Sequence, residues 1–561
     1  METLRPLTEA NNRNSFSEYA SFYYALSAYR DGQVYIARDM FLQIERRHNA
    51  WRKMDEVNLW LAQINFELEN YSLAINYVNK IVSNEIIRVA RVIKKDALSK
   101  VESMDLLKTL LDENPEDAII AEALAIQLEA QPLAEKDLGL IEKIANEYDL
   151  DKSKFSVTDY SGNVKKDEYN VAVLLPFMFN SLGDTRQILR NSLVTSLYEG
   201  MLIASEELNA QGKPINLYPY DTKRNVDETL NIVNLPELPS FDQIIGPLYP
   251  EPSRIVSQFS YDNQINMINP LSSNLEVIGN NPYSFLFKPT TRTQAIAAAE
   301  FSKKTFTNKV AVILYEDNER DSLFAHIYKQ EIEKDSFQII WFKKLTEETA
   351  GEAIDVLTET YERDIPEEEL DSLLEIEGYP MSMRRKEDPD NPDEEDKYYE
   401  ELLVISADSI GHIIMASNKV VFAANSLSVV NVRADSTALI GREEWLSFSS
   451  TGFDQIEHLG VYVISPTYYS EHSTTYEMFR NKVISKHNIT PNQYHVIGYE
   501  LVWQLGNLLH RYGKFIQVGL RNDTVRPGKI LQGVKFNYNN DNQVVPIIQF
   551  RYAEPIRIDQ R

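Results

Sequence analysis

The sequence predicts a chain in two parts, an all-helical N-terminal third followed by a doubly wound α/β region long enough for two lobes. Three observations carry this. From Phe22 to about Asn146, apolar residues recur at spacings of three and four with almost no β-type alternation. At Tyr169 the period changes, and short apolar strands separated by helices of about 10 to 15 residues then follow one another to the end of the chain. At 561 residues the chain is too long for a single core.

Taken in order, residues 1–17 are polar and read as a flexible N-terminal segment. Residues 18–150 read as a helical domain. Two stretches in it, FYYALSAYRDGQVYIARDMFLQIERR and LWLAQINFELENYSLAINYVNKIVSN, share one design: a helix of small and aromatic residues, a short polar turn (Asp31-Gly32, Glu69-Asn70) and a second helix. Ala37 and Ala74 hold the same place in each. Weaker pairs are expected near 84–112 and 116–146. Residues 151–168 read as a linker. Beyond them, YNVAVLLPF, INLYPYDT, FDQIIGP, INMINP, KVAVILYED, FQIIWFKK, EELLVISAD, STALIGREEW and GVYVISPTY read as strands, with GHIIMASNKV as a helix after the SADSIGH loop.

The rhythm breaks at residues 362–400, which hold 16 acidic and 5 basic side chains and so carry 11 of the 27 net negative charges. The expectation is a solvated acidic loop insertion. Its DPDNPDEED run does not fit an EF-hand, because Pro392 stands where an oxygen ligand is needed and no glycine follows. A net charge of −27 argues against nucleic acid as a partner, since phosphate binding rests on Lys and Arg. The absence of cysteine excludes disulfides, thiolate metal sites and cysteine nucleophiles. No apolar run reaches the roughly 20 residues of a membrane span. The opening METLRPLTEANNRNSF lacks the apolar centre of a signal peptide, so the chain is either cytoplasmic or without its export signal.

No catalytic constellation emerges. The eight histidines are scattered without an H-E-x-x-H pair, and there is no G-x-S-x-G elbow or phosphate-cradling glycine loop. Asp408, Ser409 and His412 are close in sequence, yet a triad needs its base to approach the hydroxyl from its own direction, so they read as a strand-end loop. The expectation is a binding protein without enzyme activity, metal or cofactor.

Several segments in fixed order carry a resemblance: VAVLLPF, YEGMLIASEELNAQGKPINLYPYDT, IIGPLY, INMINPLSSN, YSFLFKPTTRTQAIAAAEF, KVAVILYEDNERDS, LLVISADSIGHII and ALIGREEW. Together they resemble type I periplasmic binding proteins, the family of leucine-binding and related amino-acid-binding proteins. The resemblance implies a domain over 169–561 with two Rossmann-like lobes, lobe one at 169–292 and 467–527 and lobe two at 293–466 and 528–561, closing on a ligand in the cleft. It also implies an extracytoplasmic place, periplasmic or associated with the outer membrane. The helical part resembles the tetratricopeptide repeat, although its first helices lack the full Trp/Leu/Gly/Tyr series and no proline closes either unit; a plain helical bundle is the alternative reading.

The resemblance places cleft candidates at Gly246, Leu248 and Tyr249, at Ser272, Ser273 and Asn274, at Glu443, and at Tyr468 and Tyr469. In amino-acid-binding members the turn after Gly-Pro carries serines whose hydroxyls and N–H groups hold the ligand carboxylate. Here Tyr249, Pro250, Glu251 and Pro252 stand instead, so the grip looks dismantled. Glu443 matches the acidic residue that pairs with the ligand amine. Ser272 and Asn274 equally read as helix caps, Glu443 as the end of a surface strand and the two tyrosines as hinge packing. A helical-repeat N-terminus joined to such a module is similar to LpoA-type lipoproteins that activate a penicillin-binding protein, though the lipid-bearing cysteine is missing. That similarity makes a non-catalytic envelope scaffold the leading expectation, with other envelope proteins, including a peptidoglycan synthase, as partners. The alternative is a solute receptor for an amino-acid-like ligand.

Overall fold

The structure, a computed structural model, describes residues 2–8, 16–131, 137–155, 163–181, 191–279, 281–366, 383–386, 397–448, 452–520, 524–536 and 540–559. The chain divides into two compact units, Met1–Asp159 and Tyr160–Arg561.

The first unit is helical. It comprises α1 (Ser17–Arg30), α2 (Val34–Arg47), α3 (Met54–Glu67), α4 (Tyr71–Asn79), α5 (Asn84–Ser99), α6 (Met104–Glu113), α7 (Ala118–Glu129) and α8 (Leu138–Glu147). Successive helices pack on one another through α1 to α5, and the odd helices α3, α5 and α7 also lie side by side. Ala37 and Ala74 are wholly buried in a core with Phe41 and Leu61, which is why a small residue stands at both positions. The turn at Gly32 takes φ 75°, a left-handed value that glycine adopts freely. Asp117 accepts the N–H groups of Ile119 and Ile120 as the cap of α7 and pairs with Lys94, whose charge is thereby compensated at 2 % exposure.

Among the described residues the second unit holds three sheets. The first has the order β2-β1-β3-β4-β5 and is parallel throughout: β1 (Tyr169–Leu175), β2 (Ile215–Asp221), β3 (Gln243–Ile245), β4 (Asn266–Asn269) and β5 (Ser284–Leu286). One of its faces is covered by the helices Ser192–Ala210, Thr474–His487 and Gln493–Tyr512, and the other by Val226–Val233 and Pro250–Asn263. Gly200 and Gly498 let two of these helices cross at backbone contact, since a Cβ at either would lie about 2 Å from a carbonyl oxygen of the other helix.

The other large sheet runs β15-β14-β13-β12-β11-β6-β7. Its parallel strands are β6 (Val310–Glu316), β7 (Gln338–Leu345), β11 (His412–Ala416), β12 (Ala438–Arg442) and β13 (Tyr462–Ile464), with β14 (Ile547–Arg551) and β15 (Glu554–Arg557) antiparallel at one edge. Two apolar clusters, one on each face, complete this lobe. The chain passes between the lobes after β5, after β13 and before β14.

Three expectations are corrected. The segment His412–Ala416, read as the start of a helix, is the fully buried central strand β11, and the helix begins only at Val420. A five-residue apolar run fits a buried strand as well as a helix, and here sheet pairing decided. Residues 400–408, read as a core strand, instead supply the end of β10 (Lys397–Leu403). This strand pairs antiparallel with β8 (Thr360–Asp364) and β9 (Met383–Lys386), so both ends of the acidic insertion are strands, while 367–382 and 387–396 lie outside the described residues. Lastly, Ile530, Val534 and Phe536 pack into the core of lobe one, and Asn542 N–H bonds Leu286 O at 3.2 Å, so the third crossing falls beyond residue 542 rather than at 528.

Candidate functional site

In open parallel sheets ligands bind beyond the carboxyl ends of the strands, and most of the candidates follow such ends. At the end of β3, Gly246 takes φ 93°, and a Cβ there would meet Leu174 O at 2.2 Å. Only glycine fits. Leu248 packs against the lobe-one core, and Tyr249 is the N-cap residue of helix Pro250–Asn263, with the Arg224 guanidinium 4.9 Å from its ring centroid. The first four N–H groups of such a helix, from the N-cap on, normally have no partner within it. Here Pro250 and Pro252 supply none, and Ser253 N–H already bonds Tyr249 O at 2.9 Å. Of the four, the N-cap Tyr249 and the exposed Glu251 keep an N–H, and Glu251 adds a carboxylate.

The turn after β4 is tied to itself. Asn269 Oδ1 accepts the N–H of Leu271 and of Ser272 at 3.0 and 2.8 Å, Ser272 Oγ accepts Asn274 N–H at 3.1 Å, and Asn274 Oδ1 caps the next turn through Glu276 N–H at 3.0 Å. Ser273 O accepts Thr291 N–H across to the first crossing. The capping role of Asn274 is therefore directly visible.

Glu443, at the end of β12, is held on both oxygens. Its Oε1 meets Lys288 Nζ at 3.1 Å, and its Oε2 accepts Thr467 N–H at 3.1 Å and Thr467 Oγ1–H at 2.8 Å. Lys288 lies on the first crossing and Thr467 on the second, so this carboxylate joins two inter-lobe connections to lobe two. Burial alone would lower the Lys288 pKa, but the Glu443 carboxylate holds it above the ordinary lysine value. An ammonium of the chain itself thus stands against the carboxylate that the family resemblance reserves for a ligand amine. The stretch leading into the third crossing is fastened similarly. Asp541 Oδ2 accepts Thr290 N–H at 2.8 Å and Thr293 Oγ1–H at 2.6 Å.

Beside Glu443, buried Arg442 donates to Asp321 Oδ1 at 3.1 Å, and Arg320 forks onto the same carboxylate at 3.0 and 2.9 Å. Tyr468 and Tyr469 part company. Tyr468 joins the lobe-two core and donates to Pro555 O at 2.8 Å, while Tyr469 packs on Tyr476 against lobe one, with ring centroids 5.1 Å apart. Burial raises the pKa of both phenols. Sequence reasoning passed over Lys288, Thr467, Arg320, Asp321, Arg442 and Asp541. The one available signal was a lone lysine between an apolar strand and Pro-Thr-Thr, in FLFKPTT.

No protein-family model matches the sequence, and no curated protein matches it. Solved structures do. A protein from Rhodospirillum rubrum described as a branched-chain amino acid ABC transporter is 12% identical with a TM-score of 0.50, over 70% of this chain and 100% of that one. The α/β unit shares the two-lobed fold of that structure. An ABC transporter substrate-binding protein from Desulfitobacterium hafniense in complex with Leu is 15% identical over 70% of this chain and 100% of its own, with a TM-score of 0.43. A leucine-binding protein from Thermotoga maritima is 14% identical over 70% and 97%, with a TM-score of 0.39. Among the described residues no helix is long and apolar enough to cross a membrane.

Proposed function

We propose that the chain is a non-enzymatic, extracytoplasmic binding protein whose α/β unit closes about a small solute between its lobes, and that this solute is not a free α-amino acid held by carboxylate and amine. The fold it shares with substrate-binding proteins supports the receptor reading over a pure scaffold. The observation that carries the ligand class is the Lys288–Glu443–Thr467 network. With both oxygens of Glu443 taken by the chain, a ligand amine must displace a resident ammonium, and Pro250 and Pro252 withhold the amides that would hold its carboxylate. A second reading, in which the module works by protein contacts as in LpoA-type activators, draws on the same satisfied grips and on the helical unit, whose paired helices are consistent with tetratricopeptide-like repeats. Its partners would be envelope proteins such as a peptidoglycan synthase.

Calorimetry and a thermal-shift screen test this. The wild type is expected to bind leucine or glutamate no more tightly than about millimolar. A cleft solute at 100 times its Kd adds about 2.7 kcal/mol of stability. Lys288→Ala frees Glu443 Oε1 and should strengthen amino-acid binding measurably. Micromolar binding of any free α-amino acid by the wild type would overturn the assigned ligand class, and a silent screen of solutes alongside capture of an envelope protein would favour the second reading.

A further inference from the structure

Away from the candidate cleft, a groove of about 720 Å³ runs between the helix Thr291–Thr305, β13 and the outer hairpin β14–β15. Its floor is apolar and aromatic: Phe301, Val544, Val545 and Ile547 are buried and Tyr462 half-buried along it. Its rim carries Lys304, Lys535, Arg551 and Arg557 against Glu300 and Asp559.

Both acids are already engaged. Glu300 Oε1 is bound by Lys303 Nζ at 2.7 Å, and Asp559 takes the fork of Arg557 at 2.9 and 2.8 Å. Lys304 and Arg551 are exposed, and among the described residues neither meets a carboxylate. The Arg551 guanidinium donates to the neutral Gln549 Oε1 at 3.3 and 3.0 Å. This is the reverse of the molecule at large, which holds 84 acidic and 57 basic residues. A surplus of cations over an apolar floor, in a groove of small-molecule size, suits a ligand with an anionic head and an apolar or aromatic body.

We propose that this groove is a second binding site, for an amphiphilic organic anion whose head lies between Lys304 and Arg551 and whose body lies on Phe301 and Tyr462. The chemistry is shared by soluble aromatic or alkyl phosphates and carboxylates and by acidic lipid headgroups.

The probe is phenyl phosphate, titrated calorimetrically into the full chain, with inorganic phosphate and phenol as its separate halves. The expected result is saturable one-to-one binding, with each half weaker by at least about tenfold. The double variant Lys304→Glu with Arg551→Glu changes two exposed side chains; it should keep the wild-type unfolding midpoint and lose at least about tenfold in affinity. Sedimentation with phosphatidylglycerol vesicles separates the sources: co-pelleting that the double variant abolishes assigns the site to a lipid headgroup, and binding of phenyl phosphate without co-pelleting assigns it to a soluble anion. The proposal is overturned by no saturable binding, by inorganic phosphate binding as tightly as phenyl phosphate, or by a double variant that binds undiminished.

Discussion

Two buried carboxylates of the α/β unit differ in the sign of their contribution. Asp321 is wholly buried, which by itself would raise its pKa, but the hydrogen bonds from Arg320 and the charge of Arg442 hold it below the ordinary carboxylate value. A carboxyl group whose pKa falls on folding adds stability at pH values above its unfolded pKa of about 4, and that stability is lost as the pH drops through the lower folded value. Asp321→Asn leaves Arg442 buried against Arg320 without compensation. We expect it to cost about 3 to 5 kcal/mol at neutral pH and less near about pH 3, below the ordinary carboxylate pKa, where the unfolded wild type takes up a proton and the advantage of the folded carboxylate shrinks. Urea unfolding at both pH values checks this, and an equal loss at each would contradict it. Asp541 is the opposite case, because burial raises its pKa. Its ionised form is a cost that grows as pH rises from the unfolded pKa through the raised folded value. Asp541→Asn keeps an oxygen for Thr290 N–H and Thr293 Oγ1–H, and is expected to change stability at neutral pH by no more than about 1 kcal/mol.

At the scale of the element, the helical unit depends on its small residues. Ala37 and Ala74 lie with no exposed surface among aromatic and branched neighbours. Leucine at either position adds three carbons to a filled seam, at an expected cost of about 1 to 3 kcal/mol in chemical unfolding of the full chain. Serine should cost less than leucine at both sites, and equal tolerance of the two would argue against close helix packing there. In the α/β unit a comparable tie comes from Glu500, which has no exposed surface and whose carboxylate accepts the N–H groups of Lys529, Ile530 and Leu531 at 2.8 to 3.2 Å. That contact binds the stretch after residue 527 to lobe one, although lobe two follows it in the chain.

For the molecule as a whole, the acidic insertion is the largest departure from an unbroken α/β rhythm. Its ends pair as strands: Tyr361 lies opposite Leu402 and Arg363 opposite Glu400, with Arg363 Nε donating to Glu400 Oε1 at 2.6 Å. Replacing 387–396 by a short turn between β9 and β10 should therefore change stability by less than about 1 kcal/mol, since loop closure depends weakly on length. Deleting all of 362–400 removes most of the small antiparallel sheet and should lower the thermal unfolding midpoint clearly. Unfolding curves of the two deletions compare directly, and equal midpoints would mean that the sheet adds no stability.

Local sequence by itself determined the class of each part. Period 3.6 over Phe22–Asn146 and the buried runs of β1, β3, β4 and β6 need only neighbouring residues to show which faces meet water. The missing amide grip at Pro250 and Pro252 was equally legible, because proline lacks its N–H in any fold. Tertiary structure decided what local pattern could not. His412–Ala416 became a strand because β6 and β12 were there to pair with it. Glu443 found its ammonium in Lys288, 155 positions away, and Asp541 its donor in Thr290, 251 positions away. Periodicity reports the burial of a face, whereas an ion pair or a crossing strand depends on which distant segments the fold brings together, and no spacing along the chain encodes that.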